Sequence, residues 1–407
     1  MDDGPPLPDE LLALILSFVP WPQRIAARAV SKRWLGVIDT APRLWRGGLP
    51  RELVLDELVA RCKGGDPTKL RWLVTTFAIT AEEVRGNGNY ILHATCAEGH
   101  LRGAMWLVET FGLSAEDARD DGNYALQETC TQGHLPTAMW LAATFGLTKE
   151  DATSDNNAAL RRACGEGHIS VAMWLVERFD LTAADAAAED NEALREACEN
   201  GHMETAAWLT TTFDLASAGA DIDLADYNVL GRVCINGHLE MAKWVTARFG
   251  LIMVDDTHAH TLCDVIDEGH LEVVRWLFDT LPVDRIFMMN ILNQACRCGH
   301  TPIVELIADR FAPAAAEVQD VLWNACTEGH LELARWLANR FSLTATHTPA
   351  ALHAACVNGS TAIVIWLITH FRLGADADVI GEASHVARIN GHVELAELIS
   401  RISRHWI

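Results

Sequence analysis

One glycine recurs through almost the whole chain, and its spacing restricts the possible folds more than any other feature. Gly65, Gly99, Gly133, Gly167 and Gly201 are each 34 residues apart, and Gly237, Gly269, Gly299, Gly329, Gly359 and Gly391 continue the series at spacings of 36, 32, 30, 30, 30 and 32. A period of this size means stacked units, each too small to bury its own apolar face, rather than the two or three compact domains that 407 residues would otherwise suggest. Around each glycine the pattern is kept. Trp stands seven residues later in nine of the eleven units, with Leu306 and Leu398 in the other two, Cys stands three residues earlier in nine, and His follows directly in nine.

The stretch Cys96-Ala97-Glu98-Gly99-His100 invites a metal or redox reading. Its repetition argues otherwise. A zinc site needs four converging ligands and each unit offers two, whereas one Cys per unit is what a small buried position looks like when it is copied along a stack. Copies on neighbouring units are expected to lie too far apart for a disulfide. Gly then supplies the left-handed residue that ends a first helix, and His leads into a second. Within one unit Leu135, Ala138, Leu141, Ala142 and Phe145 recur at helical spacing with Trp140 beside them, and before Gly133 a shorter helix carries Leu126 and Cys130 inward behind Asn123. Each unit is therefore a helix pair. Between pairs, Thr80, Ser114, Thr148 and Thr182 each precede a Glu or Asp by three residues, a capping-box pattern that predicts a short extra helical turn.

Charge excludes several function classes. The chain carries a formal charge of -23, and the first fifty residues hold six Lys or Arg against five Asp or Glu, so the acidity belongs to the repeats. Nucleic acid and anionic membrane surfaces need clustered cations and are not expected partners. The start Met-Asp-Asp-Gly-Pro-Pro has no basic stretch leading into an apolar run, and Leu11 to Val19 is too short to cross a bilayer, so a soluble cytosolic or nuclear protein is expected.

The first fifty residues do not follow the repeat. Pro8 opens a helix with Leu11, Leu12, Ile15 and Leu16 on one face, Pro20 and Pro22 end it, Ile25, Ala29, Val30 and Trp34 share a face of a second helix, and Leu44 and Trp45 close a third. Leu7-Pro8-Asp9-Glu10-Leu11-Leu12, then Ile15-Leu16, then Val30-Ser31-Lys32-Arg33-Trp34 and a final Leu44-Trp45 resemble an F-box, in that family's order. The repeats, as in Leu92-His93 through Gly99-His100 or Leu352-His353 through Gly359, resemble ankyrin units. They depart from that pattern in two places: Asn-Tyr or Asn-Ala pairs replace the usual Thr-Pro opening, and a Thr-capped turn replaces the hairpin, which puts a protruding β-finger in doubt. The expected fold is thus all-α, an N-terminal three-helix F-box-like domain at residues 6–46 followed by an ankyrin-like helical solenoid of about eleven helix pairs at 51–402. Glu52 to Arg61 already reads as the first repeat helix, leaving no long linker. The order of parts is similar to multigene families of giant DNA viruses of amoebae, notably pandoraviruses, and in that setting the compartment would be the host cytoplasm.

The F-box resemblance implies docking onto the small adaptor subunit of a cullin-RING (SCF-type) ubiquitin ligase, with the remainder of the chain recruiting an unidentified protein substrate. The family's docking face falls on Leu7, Pro8, Leu11 and Ile15, while Trp34 and Trp45 pack the three helices together. A unit this small cannot bury all of its apolar residues, which suits a permanent partner. Substrate contacts are sought where the units differ. Six residues before the glycine the chain reads His93, Gln127, Arg161, Arg195, Gly231, Cys263, Asn293, Trp323, His353 and His385, a position expected on the outward side of the first helix. Arg161, Arg195, Trp323 and His353 are the substrate-binding candidates; Trp323 is either a partner anchor or a packing residue. Asp120, Asp121, Asp155, Glu189, Asp190, Asp221, Asp223, Asp226, Asp255 and Asp256 mark the connecting turns, an acidic edge that either selects a basic partner or only keeps the stack soluble.

Asp255, Asp256, His258, His260, Cys263 and His270 form the one local group with metal-ligand character, but the repeat register already accounts for His270, and no metal or other cofactor is expected. No phosphate loop, nucleophile elbow, HExxH helix or paired-CxxC module occurs, so the chain is expected not to be an enzyme and ligase chemistry would come from a partner. The alternative to a ligase receptor is a non-catalytic ankyrin scaffold or decoy that binds a protein without ubiquitylation.

Overall fold

The computed structural model describes residues 51–62, 65–214, 228–251, 257–281 and 284–403, which belong to two bodies, one ending at Ile222 and the other beginning at Asp223. Every regular element among the described residues is helical. The expected F-box-like segment lies outside them.

In the N-terminal body each helix pair after the first is entered through a capped turn. The Asp or Glu three residues into the turn accepts the backbone N–H of the capping residue: Glu83 from Thr80 at 2.9 Å, Asp117 from Ser114 at 2.6 Å, Asp151 from Thr148 at 2.8 Å and Asp185 from Thr182 at 2.7 Å. These caps start the single helical turns Lys149–Ala152 and Ala183–Ala186, and the same turn opens the longer spans Ala81–Ala97 and Ala115–Thr131. The chain then reverses its twist. Asp121, Gly122 and Asn123 are left-handed in succession, as are Asp155, Asn156 and Asn157, and Glu189, Asp190 and Asn191. Asn, Asp and Gly are the residues that tolerate this region, which is why those three types crowd the turns. The acidic composition of the edge is thus partly a backbone requirement.

The first helix of the pair ends the same way in both bodies. Gly99 is left-handed (φ 70°), its N–H reaches the Cys96 carbonyl at 2.9 Å, and the His100 N–H reaches the Thr95 carbonyl at 3.0 Å. This pair of hydrogen bonds is a Schellman end, and Gly299 and His300 repeat it on Cys296 and Ala295. The second helix follows at once, as in Leu101–Phe111 or Leu331–Arg340, and its Trp meets a Phe five residues on. Trp106 with Phe111, Trp174 with Phe179, Trp244 with Phe249 and Trp336 with Phe341 are all edge-to-face, with centroids 5.7–6.2 Å apart. Where both residues are present, the Phe thereby clamps the exit of the pair against its own tryptophan; Leu281 takes the Phe place after Trp276, and Leu306 and Leu398 take the Trp place in two other units.

The core runs between the helices of successive units. Leu58, Leu92, Leu126, Leu160 and Leu194, one per unit, are all but sealed from solvent, as are Leu73, Leu107, Leu141 and Leu175 from the second helices. Burying each such side chain stabilises by about 1.5–3 kcal/mol, so the stack derives its strength from repetition rather than from one large core. The C-terminal body uses shorter connections. Asp284 caps the Arg285–Cys298 helix by accepting from the Phe287 N–H at 2.7 Å, Thr344 and His347 form a capping box before Pro349–Val357, and Asp376 caps Ala377–Ile389. The short pieces fit its spacings of 30–32 residues, against 34 in the N-terminal body.

Candidate functional site

The repeated Cys-x-x-Gly-His stretch is a structural joint between units. All nine cysteines of the repeat position are buried, and no disulfide forms among the eleven thiols. Burial pushes the thiols up, to about 12 for Cys62, Cys198, Cys234, Cys326 and Cys356, far from the range of a nucleophile or redox centre. The histidine ring lies over the glycine of the preceding unit and its Nε2 meets a carbonyl there: His300 with Asp267 at 2.8 Å, His330 with Arg297 at 2.9 Å and His392 with Val357 at 3.0 Å. A side chain so engaged is not a free ligand. Among the described residues no group of three or more His, Cys, Asp or Glu is placed to hold a metal ion. Asp255 and Asp256 fall outside those residues, and nothing is described of the His258 side chain.

The capping carboxylates have a second task that the sequence pattern did not reveal. Asp117 accepts from Arg85 at 3.0 Å, Asp151 from Arg119 at 2.8 Å and Asp185 from Lys149 at 2.8 Å, each cation coming from the preceding unit. Burial opposes ionisation of these carboxyls. For Asp117 the Ser114 N–H and hydroxyl and the Arg85 guanidinium outweigh it, for Asp151 Arg119 and the Thr148 N–H do, and for Asp185 Lys149 and the Thr182 N–H do, so all three are held below the usual carboxylate range. The 34-residue period carried this signal, because Arg85 and Arg119 stand 32 residues before Asp117 and Asp151.

The variable position six residues before the glycine divides the molecule. In the N-terminal body it does not face outward as expected: His93 and Gln127 are buried, and Arg161 and Arg195 are half-buried. The left-handed turn folds back over the position, and the side chain there binds the turn's carbonyls. Gln127 Nε2 donates to Gly122 at 2.8 Å; Arg161 donates to Asn156 at 2.8 Å and Asp155 at 3.1 Å; Arg195 donates to Asp190 at 3.0 Å and Glu189 at 3.1 Å. Arg161 also pairs with Glu192. Both arginines thus have structural partners, which a list of variable positions cannot anticipate. His93 has a different setting. Burial lowers its pKa despite the nearby Asp120 and Asp121 carboxylates and the Asp117 backbone, and its ring lies 5.6 Å from that of Tyr124.

In the C-terminal body the same position opens in the last three units, while Gly231 is buried and Cys263 and Asn293 are half-buried. Trp323, on the Val318–Thr327 helix, is 40% exposed, and His353 and His385 are exposed on the next two first helices. His353 lies at the mouth of a cleft of about 80 Å³ between the Pro349–Val357 and Ala377–Ile389 helices, lined also by Leu352, Val379, Glu382 and Val386. Of the four substrate-binding candidates, Trp323 and His353 are exposed on neighbouring helices of the C-terminal body, and Arg161 and Arg195 belong to the other body. Val379 and Glu382 were missed, since neither occupies the variable position. The acidic edge is exposed at Asp121, Asp155, Glu189 and Asp190; Asp221, Asp223, Asp226, Asp255 and Asp256 lie outside the described residues.

The remaining candidates belong to the first fifty residues, most of which match a known family. Residues 6–47 match the F-box-like family. The chain thus carries an F-box-like domain at its start, ahead of a helical, repeat-like body that begins at Arg51. Such a domain suggests a role in substrate recognition for an SCF-type ubiquitin ligase or in protein–protein interaction, and F-box domains generally bind the ligase's small adaptor subunit. Leu7, Pro8, Leu11 and Ile15 fall inside the matched segment and outside the described residues. No curated protein matches the chain. No helix among the described residues is long and apolar enough to cross a membrane.

Proposed function

We propose that the chain is a substrate-recruiting receptor of a cullin-RING ubiquitin ligase. In this reading the F-box-like domain docks the adaptor through Leu7, Pro8, Leu11 and Ile15, and the ankyrin-like helical body captures a target protein. The observation that carries it is the F-box-like match at residues 6–47 set immediately before a long helical body whose first helix begins at Arg51. The match supports the docking half of this reading, and helix pairs that leave Trp323 and His353 exposed support the capturing half. Ubiquitin would reach the target by proximity, through chemistry performed by the ligase and not by this chain.

The test is co-purification. The full chain, expressed in cells, retains the adaptor and a cullin, and the Leu11→Asp, Ile15→Asp double variant loses both while keeping the helical circular dichroism of the parent. Retention of the adaptor without cullin would favour the scaffold or decoy reading, and loss of neither by the double variant would remove the docking face proposed here.

A further inference from the structure

The chain has cations in plenty and almost no lysine. It holds 27 arginines and five lysines, Lys32, Lys63, Lys69, Lys149 and Lys243, and residues 244–407 carry eleven arginines and no lysine at all. Lysine is among the commonest residues of soluble domains, and the fold gives no reason to avoid it here. Six residues after the repeat glycine, Lys243, Arg275 and Arg335 hold the same place on the second helices of three units in the C-terminal body. Each pairs with the glutamate three residues before it: Lys243 with Glu240 at 2.7 Å, Arg275 with Glu272 at 3.6 Å and Arg335 with Glu332 at 3.1 Å. All three cations are exposed. A surface pair of this kind makes no use of the guanidinium fork, so lysine would serve at 275 and 335 as it does at 243. Of the lysines whose side chains are described, Lys149 is tied to Asp185 at 2.8 Å and to the Asp180 carbonyl at 3.1 Å, which leaves Lys69 and Lys243 as the exposed ones.

The two cations differ in one reaction that matters beside a ubiquitin ligase. A lysine whose ammonium has given a proton to water attacks the carbonyl carbon of a ubiquitin thioester through Nζ. The C–N bond forms, the C–S bond breaks, and the thiolate leaves and takes up the surplus proton of the nitrogen. An arginine keeps its proton and its delocalised charge, and cannot act as that nucleophile. A receptor bound to a ligase meets the thioester at high effective concentration for as long as it stays bound, so its own lysines compete with those of the target.

We propose that the scarcity of lysine shields this chain from the ligase it serves: with no acceptor after Lys243, ubiquitin passes to the captured target and not to residues 244–407 of the receptor. The inference rests on the receptor reading and adds a regulation to it, since a receptor that escapes modification outlasts its targets. Self-conjugation in the described residues is thereby limited to Lys69 and Lys243.

The test compares the full chain with an Arg275→Lys, Arg335→Lys variant, each assembled with the purified adaptor, a cullin and its RING subunit and supplied with ubiquitin as the thioester of a carrier enzyme. The substitutions keep both charges, so circular dichroism and the urea midpoint should match the parent. Ubiquitin conjugated to the variant is expected to rise about twofold or more, with mass spectrometry placing the gain at the two substituted positions and finding no conjugate beyond Lys243 on the parent. Equal conjugation of parent and variant, or conjugates beyond Lys243 on the parent, would overturn the proposal. Cullin retained by the chain is scored in the same reactions. Retention with equal conjugation removes the shielding alone, whereas no retention removes the receptor reading and the shielding with it.

Discussion

The imidazole of His330 occupies the space where a side chain on Gly299 would stand: a β-carbon at Gly299 would come within 2.6 Å of His330 Cε1, and His330 Nε2 bonds the Arg297 carbonyl at 2.9 Å. Gly299 is also left-handed, with φ 78°. Gly299→Ala therefore meets both a backbone penalty of about 1–2 kcal/mol and a clash with the joint. Its urea midpoint, followed by tryptophan fluorescence, should fall well below that of Gly381→Ala, where nothing lies within 4 Å of the added carbon.

Acid should weaken the N-terminal body in two stages. His93 is held below its usual pKa by burial, so the unfolded chain takes up its proton first; the stabilisation from keeping it neutral is complete above about 6.5 and is lost as pH falls through the lower folded value. Asp117, Asp151 and Asp185 are depressed in the fold, so their contribution is complete above about 4 and is lost as pH falls further. Denaturation midpoints measured from pH 8 to pH 3 should show both declines, and His93→Gln should remove the first alone. A flat profile between pH 7 and 5 in the parent would contradict the burial of His93.

The buried thiols should resist a disulfide reagent. Nine of the eleven cysteines are buried, with Cys263 and Cys298 half-buried. Titration with Ellman's reagent at pH 7.5 should find no more than two fast thiols in the native protein and all eleven in guanidinium. Rapid reaction of five or more would show that the repeat cysteines are open.

Arg161 and Trp323 occupy the same repeat position with opposite consequences. Arg161→Ala removes the hydrogen bonds to Asn156 and Asp155 and should cost about 1–2 kcal/mol in chemical denaturation. Trp323→Ala, on an exposed face, should change stability by less than about 1 kcal/mol. Equal losses would mean that Trp323 packs rather than presents itself.

Much of this architecture is legible in the chain because each unit repeats its instructions. Gly133 ends a helix, Cys130 and Leu126 are buried behind it, and Thr148 caps the next turn, as the spacing predicts. The partners of Arg161 were not legible, since they depend on a left-handed run at Asp155, Asn156 and Asn157 that no hydrophobic period encodes. The ion pair between Arg85 and Asp117 was hidden for a related reason: it joins two units, and a pattern read within one unit shows only the cap. The cleft beside His353 arises from Val379 and Glu382 of the next unit and became visible only once the helices were stacked.

The most direct test of the central claim is titration of the purified full chain with the purified adaptor subunit of an SCF-type ligase, by calorimetry. The account predicts one-to-one binding, abolished by Leu11→Asp with Ile15→Asp and untouched by Trp323→Ala. Absence of binding to the adaptor, or binding that survives the double substitution, would contradict it.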